Sequence, residues 1–246
     1  MSNEAARPFA GQLALVTGAS HGIGAATAVA LGATGAHVVL TGRDTKALES
    51  IEEAIDAAGG HATIAPIDLT EPDAIARLAV AVSGRWQALD MLVLSAAVLP
   101  QLTSVVDIEP NSFTKALTTN VLATQTLLAC FHPLLRKSAN ARVIGLTSGV
   151  AATPRAYWGA YAASKAAFEV LLDCYAQETA AISKVRVAIV NPSATRTKMR
   201  ASAYPGEDPA SVKPPEAVAQ RLVALLGEPF ASPYRESLKV NAQAPA

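Results

Sequence analysis

Tyr161-Ala162-Ala163-Ser164-Lys165 sets a phenol and an ammonium four positions apart. At helical spacing both side chains lie on one face. A tyrosine with its reference pKa near about 10 is a slow base at neutral pH. A neighbouring cation favours the phenolate. Lowering the pKa by about three units would take roughly 4 kcal/mol of differential stabilisation. The chemistry such a pair suits is proton exchange with a carbonyl or carbinol oxygen while hydride moves at the carbon. Tyrosine–lysine pairs at this spacing also occur on ordinary amphipathic helices, so the pair alone decides nothing.

A second group of residues suits phosphate. An apolar run over Leu13–Thr17 leads into Thr17-Gly18-Ala19-Ser20-His21-Gly22-Ile23-Gly24 and then an alanine-rich helical stretch. Glycines at 18, 22 and 24 let the backbone turn sharply, approach a pyrophosphate and pack helix against strand. The helix N-terminus offers free N–H groups to the phosphate. Set between strand and helix near the N-terminus, this loop reads as a dinucleotide site rather than an ordinary turn. The second strand ends in Thr41-Gly42-Arg43. An acid there would hold the adenosine ribose hydroxyls and repel a 2′-phosphate. Arg43 instead offers a guanidinium able to pair with that phosphate, with His21 as a second basic group. NADP(H) is therefore expected over NAD(H). The competing reading makes Arg43 a solvated charge beside Asp44, a helix cap.

With three residues between its first two glycines, the loop resembles that of the short-chain dehydrogenases/reductases, and the resemblance runs along nearly the whole chain. It implies Tyr161 as general acid/base, with Lys165 lowering its pKa and binding the nicotinamide ribose. Ser148, thirteen residues before Tyr161, would polarise the substrate carbonyl. Asn120 would hold a water in a proton relay toward Lys165. Gly42 stands where family members that use NAD carry the acid. Asp68-Leu69 would meet the adenine edge, although Asp68 read alone is equally a helix N-cap. Asn191-Pro192-Ser193-Ala194-Thr195-Arg196-Thr197 resembles the nicotinamide-side loop, in which Thr195 and Thr197 would bond the carboxamide or pyrophosphate. Strings around Trp158–Tyr161 and over 197–203 resemble a bacterial subgroup of the family. Two departures bear on cofactor geometry. Ser95-Ala96-Ala97 replaces the family's N-A-G, and Ser193 replaces a loop glycine.

Elements must bring these groups together. Apolar runs at 13–17, 37–41, 62–66, 91–95, 142–147 and 185–190 read as strands. Helical patterns lie at 22–34, 45–57, 72–84, 121–136, 157–181 and 216–226. The strands are continuously apolar, as in a parallel sheet covered on both faces. Alternation of strand and helix implies right-handed βαβ units. The expected fold is α/β: a single doubly wound parallel sheet of Rossmann type, spanning 1–246 as one domain. Pro205, Gly206, Pro209, Pro214 and Pro215 mark a loop read as part of a substrate lid near 196–215, and 237–240 as a last edge strand. Val98, Leu99, Val150, Pro154, Tyr157 and Trp158 suggest an apolar pocket wall. The 157–181 helix is apolar on more than one side, a pattern of double burial. Unless Phe168, Leu171, Leu172 and Tyr175 all face the sheet, a homodimer or homotetramer follows. In the family this helix and its predecessor form such an interface.

The chain has 246 residues, 51% of them apolar and 16% charged, with 20 basic and 20 acidic side chains. That balance gives no bulk reason to bind nucleic acid or an anionic membrane. Cys130 and Cys174 are isolated and the four histidines scattered, so neither a disulfide framework nor a metal centre is expected. The N-terminus lacks a signal-peptide pattern, and the apolar stretch at 91–99 is too short to span a bilayer. The expectation is a soluble cytoplasmic oxidoreductase acting on a small carbonyl or alcohol. The rival from another class is a dinucleotide-sensing regulatory protein without turnover. An epimerase-type relative would need a longer C-terminal substrate domain.

Overall fold

The structure is a computed structural model and describes residues 7–238. Seven parallel strands form one sheet in the order β3-β2-β1-β4-β5-β6-β7. They are β1 Leu13–Thr17, β2 His37–Gly42, β3 His61–Pro66, β4 Met91–Leu94, β5 Arg142–Leu146, β6 Arg186–Asn191 and β7 Tyr234–Ser237. Nine α-helices among the described residues connect them: α1 Gly22–Ala33, α2 Thr45–Ala57, α3 Pro72–Ser83, α4 Pro110–Leu117, α5 Ala123–Lys137, α6 Gly149–Ala152, α7 Gly159–Ala180, α8 Lys198–Ala203 and α9 Pro215–Gly227. None is long and apolar enough to cross a membrane.

Both faces of the sheet are covered, which is why its strands are apolar throughout. Leu13 and Leu15 of β1 pack with Ile75 of α3, Phe131 of α5 and Phe168 of α7. Ala14 and Val16 point the other way, into a core shared with Leu31 of α1, Leu48 of α2 and Leu222 of α9. The strand order reverses between β1 and β4, and the crevice beyond the carboxyl ends of strands at such a switch is where ligands bind.

Several boundaries differ from the sequence reading. The helix expected over 121–136 is the last part of a longer run. It starts at Pro110, with Glu109 capping the Asn111 and Ser112 N–H groups, and passes through a π-helical turn at Thr118–Leu122 before α5. Proline at the first helical position was the available signal for that start. The expected 157–181 helix begins at Gly159, because Tyr157 has φ 71° and cannot be helical. Asp68 is not the cap of α3. Its carboxylate accepts from the Thr70 N–H and hydroxyl, and Glu71 occupies the cap position. The last strand lies at Tyr234–Ser237 rather than 237–240, of which residues 239 and 240 lie outside those described. The segment 196–215, expected to form a lid, contains α8 and a 3-10 turn at Pro209–Ser211.

Candidate active site

The glycine loop between β1 and α1 is built for close backbone approach. Gly18 has φ 65°, and a Cβ there would meet the Ala96 backbone at 2.9 Å. A Cβ on Gly24 would overlap the Gly18 carbonyl. Opposite this turn, Thr17 ties β1 to the end of β4. Its hydroxyl donates to the Val93 carbonyl and accepts from the Ser95 and Ala96 N–H groups at 3.0 and 3.1 Å. Ala97 is not among the residues with positive φ, so its backbone needs no glycine. Ser193 does adopt the left-handed region, with φ 55°.

One cleft gathers Gly18, Ser20, His21, Gly22 and Ile23 with Arg43, Asp68, Leu69, Ser95, Ala96, Ala97, Tyr161, Lys165, Pro192 and Thr197. Gly24 is buried beneath it. Arg43 and His21 are exposed at the rim, His21 against the Ser20 hydroxyl at 2.9 Å. Asp68 is held below the usual carboxylate range, first by the Thr70 N–H and further by the Arg43 and Lys115 cations. The cleft also borders Thr119, whose buried hydroxyl has no partner among the described residues. A glycine cradle closed to side chains, an orphaned hydroxyl and a cation at the far rim fit a dinucleotide of the nicotinamide type.

A second cleft shares Tyr161, Thr147, Thr197 and Met199 with the first and continues past Ser148, Leu99, Val150, Trp158, Thr195 and Tyr204. Val98 lies in the first cleft instead. Pro154 and Tyr157, expected on the apolar wall, are exposed and line neither. Thr195 is buried, its hydroxyl directed to the Pro192 and Ser193 carbonyls, while Thr197 caps α8. Those bonds use the Thr195 proton within its own loop.

Tyr161 and Lys165 share the buried face of α7. Their surroundings differ from the simple pairing read from sequence. Burial pushes the Tyr161 phenol up to about 12. Burial also draws Lys165 down to about 8, against the opposing pull of Glu169. Lys165 Nζ donates to the Leu146 carbonyl at 2.9 Å and lies 4.6 Å from the Phe168 ring centre. Within the protein itself, then, desolvation outweighs any pull of the ammonium on the phenol. The Tyr161 hydroxyl touches Met199 Sδ at 3.8 Å. Ser148, two residues beyond β5 and at the N-cap of α6, makes no side-chain hydrogen bond among the described residues.

Asn120 sits in the π-helical turn, a deformation that often marks functional positions. Its amide is already engaged: Oδ1 accepts from Val98 N–H at 2.8 Å, and Nδ2 donates to the Val98 carbonyl and to Ser164 Oγ. Ser164 in turn donates to the Tyr161 carbonyl at 2.8 Å. The side chain therefore clamps the loop after β4 to the turn of α7 that carries Tyr161. Sequence reasoning missed Thr17, Ser164, Met199 and Glu169; Ser164, one helical turn from Tyr161, and Glu169, one turn from Lys165, left a local signal.

A family model described as short chain dehydrogenase matches residues 12–208. The uncharacterized oxidoreductase YciK of Escherichia coli (strain K12) is 33% identical over 220 residues, 88% of this chain and 86% of that protein. The structure of a short chain dehydrogenase from Pseudomonas syringae superposes with a TM-score of 0.91 at 34% identity, covering 94% of this chain and 96% of that one. Another from Shigella flexneri 2a str. 301, complexed with NADP, gives 0.89 at 31% identity over 94% of this chain and 98% of its own.

Proposed function

Because the chain belongs to the short-chain dehydrogenase/reductase family, and to its YciK-like branch, it is an NAD(P)-dependent oxidoreductase, and we propose that it exchanges hydride between NADP(H) and a carbonyl/alcohol substrate through Ser148, Tyr161 and Lys165. The observation that carries this reading is that Tyr161 borders both clefts, the one fitted to a dinucleotide and the one beyond it. When bound, the nicotinamide supplies or accepts the hydride.

The glycine loop, Thr197 and Lys165 would hold the cofactor, with Asp68 and Leu69 at its adenine end. Arg43 supports the NADP(H) preference by its place at the rim of that cleft, where Gly42 offers no competing acid. The NADP found on the Shigella flexneri relative agrees with it. A phenol kept protonated by burial suits donation to a carbonyl oxygen, and the same Oη takes the proton back in oxidation. Lys165 at about 8 is still mostly cationic at neutral pH and offsets charge developing on that oxygen. Ser148 Oγ adds a hydrogen bond to it. Asn120 positions the Val98 loop and α7. The α8 segment, carrying Met199 over Tyr161, acts as the lid. A sensor without turnover would have no use for a tyrosine shared by two clefts.

A panel of aldehydes and ketones with NADPH, followed by absorbance of the reduced nicotinamide, tests the reading. Tyr161→Phe should lower turnover by about a hundredfold or more while NADPH affinity stays within a few-fold. Substantial activity in that variant removes Tyr161 from the mechanism. Arg43→Ala should weaken NADPH about tenfold and NADH little. Tighter binding of NADH than NADPH by the unsubstituted protein overturns the preference.

A further inference from the structure

The second cleft is more apolar than polar in its walls and one-sided in its charge. Among the described residues no acidic one borders it, whereas two arginines do. Arg200 is neutralised in place by a bidentate pair with Glu207, and its guanidinium lies 3.6 Å from the centre of the Tyr204 ring. Arg155 has no such partner. Its one hydrogen bond is a long contact, 3.4 Å, from Nη1 to the Tyr204 hydroxyl, and it pairs with no carboxylate among the described residues. Rings connect this guanidinium to the reacting end. Tyr204 lies 5.9 Å from Trp158 between ring centres, and Trp158 lies 6.0 Å from Tyr161.

Taken with the oxidoreductase reading above, the geometry points to a substrate of one chemical class: a carbonyl or carbinol on an apolar, flat body that carries a carboxylate at its far end, held by Arg155. The fork of a guanidinium matches both oxygens of a carboxylate. A single unopposed cation balances a monoanion; a phosphate dianion would call for more positive charge than the cleft offers. Trp158 and Tyr204 supply the faces against which a planar body packs. Arg155 is exposed, so its contact discriminates among substrates by a moderate factor rather than by many orders.

The test uses matched probes, para-formylbenzoate and para-formylcinnamate, each against its neutral methyl ester. Their affinities are measured by calorimetry on the protein saturated with NADP⁺, and their kcat/KM values with NADPH. At least one acid should bind about fivefold tighter than its ester, and Arg155→Gln should bring that ratio close to one. The ratio is the readout because a general loss of folding weakens acid and ester alike. Equal affinity for acid and ester in the unsubstituted protein overturns the inference, as does a preference that survives in Arg155→Gln, or failure of both acids to bind. Turnover of acid and ester without discrimination sinks the carboxylate contact and leaves the reductase reading standing. Discrimination in binding with no turnover of any probe supports the contact and counts against the reductase reading.

Discussion

Glu169 follows Lys165 by one helical turn and is the residue whose charge opposes the desolvation of that lysine. It is itself held on two sides. The Thr147 hydroxyl donates to Oε1 at 2.6 Å, and Arg235 pairs with Oε2. Burial has brought Lys165 from its usual value down to about 8, and the carboxylate pulls it upward. Neutralising the carboxylate lowers the lysine pKa further, so the ammonium is lost at a lower pH. Glu169→Gln should therefore move the alkaline limb of the pH–rate profile acidward by about half a unit or more. An alkaline limb that stays in place would show that Glu169 does not act on the proton of Lys165. Legibility at this scale follows distance along the chain. Tyr161 and Lys165 sit in one short string, and Ser148 precedes them at a recognisable interval. Arg235 lies 66 residues from Glu169, and only the folded sheet brings them together. Thr17 was hidden differently, as a polar residue closing an apolar strand with no local hint of its three partners.

The helix that carries the chemistry is placed by what lies beneath it. A Cβ on Gly145 of β5 would overlap Leu172 and meet Phe168 at 2.7 Å, so α7 packs on the strand at glycine distance. That contact brings Lys165 Nζ within reach of the Leu146 carbonyl on the next residue of the sheet. Periodicity was enough to read α3 and α5, each of which buries one apolar stripe, whereas the short helix α4 was missed. Periodicity was not enough for the π-helical turn at Thr118–Leu122 that carries Asn120. Ser193 shows the cost of a departure in a loop. Its φ of 55° lies where side chains carry a penalty, partly offset by its N–H bond to Asn191 Oδ1 at 2.9 Å. Ser193→Gly should leave stability unchanged or raise it by up to about 1 kcal/mol, while Ser193→Val should cost about 1–2 kcal/mol, both read by denaturant unfolding. A strongly destabilised glycine variant beside a tolerated valine would refute this account.

At the scale of the molecule, the reversal of strand order between β1 and β4 opens the crevice, and that much follows from alternating strand and helix patterns. Of the apolar residues that suggested double burial of α7, Phe168, Leu172 and Tyr175 lie in this chain's own core, and Leu171 alone among them is partly exposed. Val170 on α7 and Leu122 in the π-helical turn, which the sequence pattern did not single out, are nevertheless 59% and 58% exposed and give these two neighbouring segments an apolar face. We predict self-association through that face. Light scattering at micromolar concentration should give twice or four times the chain mass, and Leu122→Lys with Val170→Lys should reduce it. A monomer with full activity would refute the prediction. The ion pairs of Arg235 with Glu169 and Asp173 carry a last implication. They join the edge strand β7 to α7, although β7 is translated after every group proposed for the chemistry. A nascent chain halted before Tyr234 already holds Asn120, Ser148, Tyr161 and Lys165, yet lacks the guanidinium that steadies Glu169. Completion of the site thus waits until the ribosome has passed Arg235 and that strand has joined the sheet.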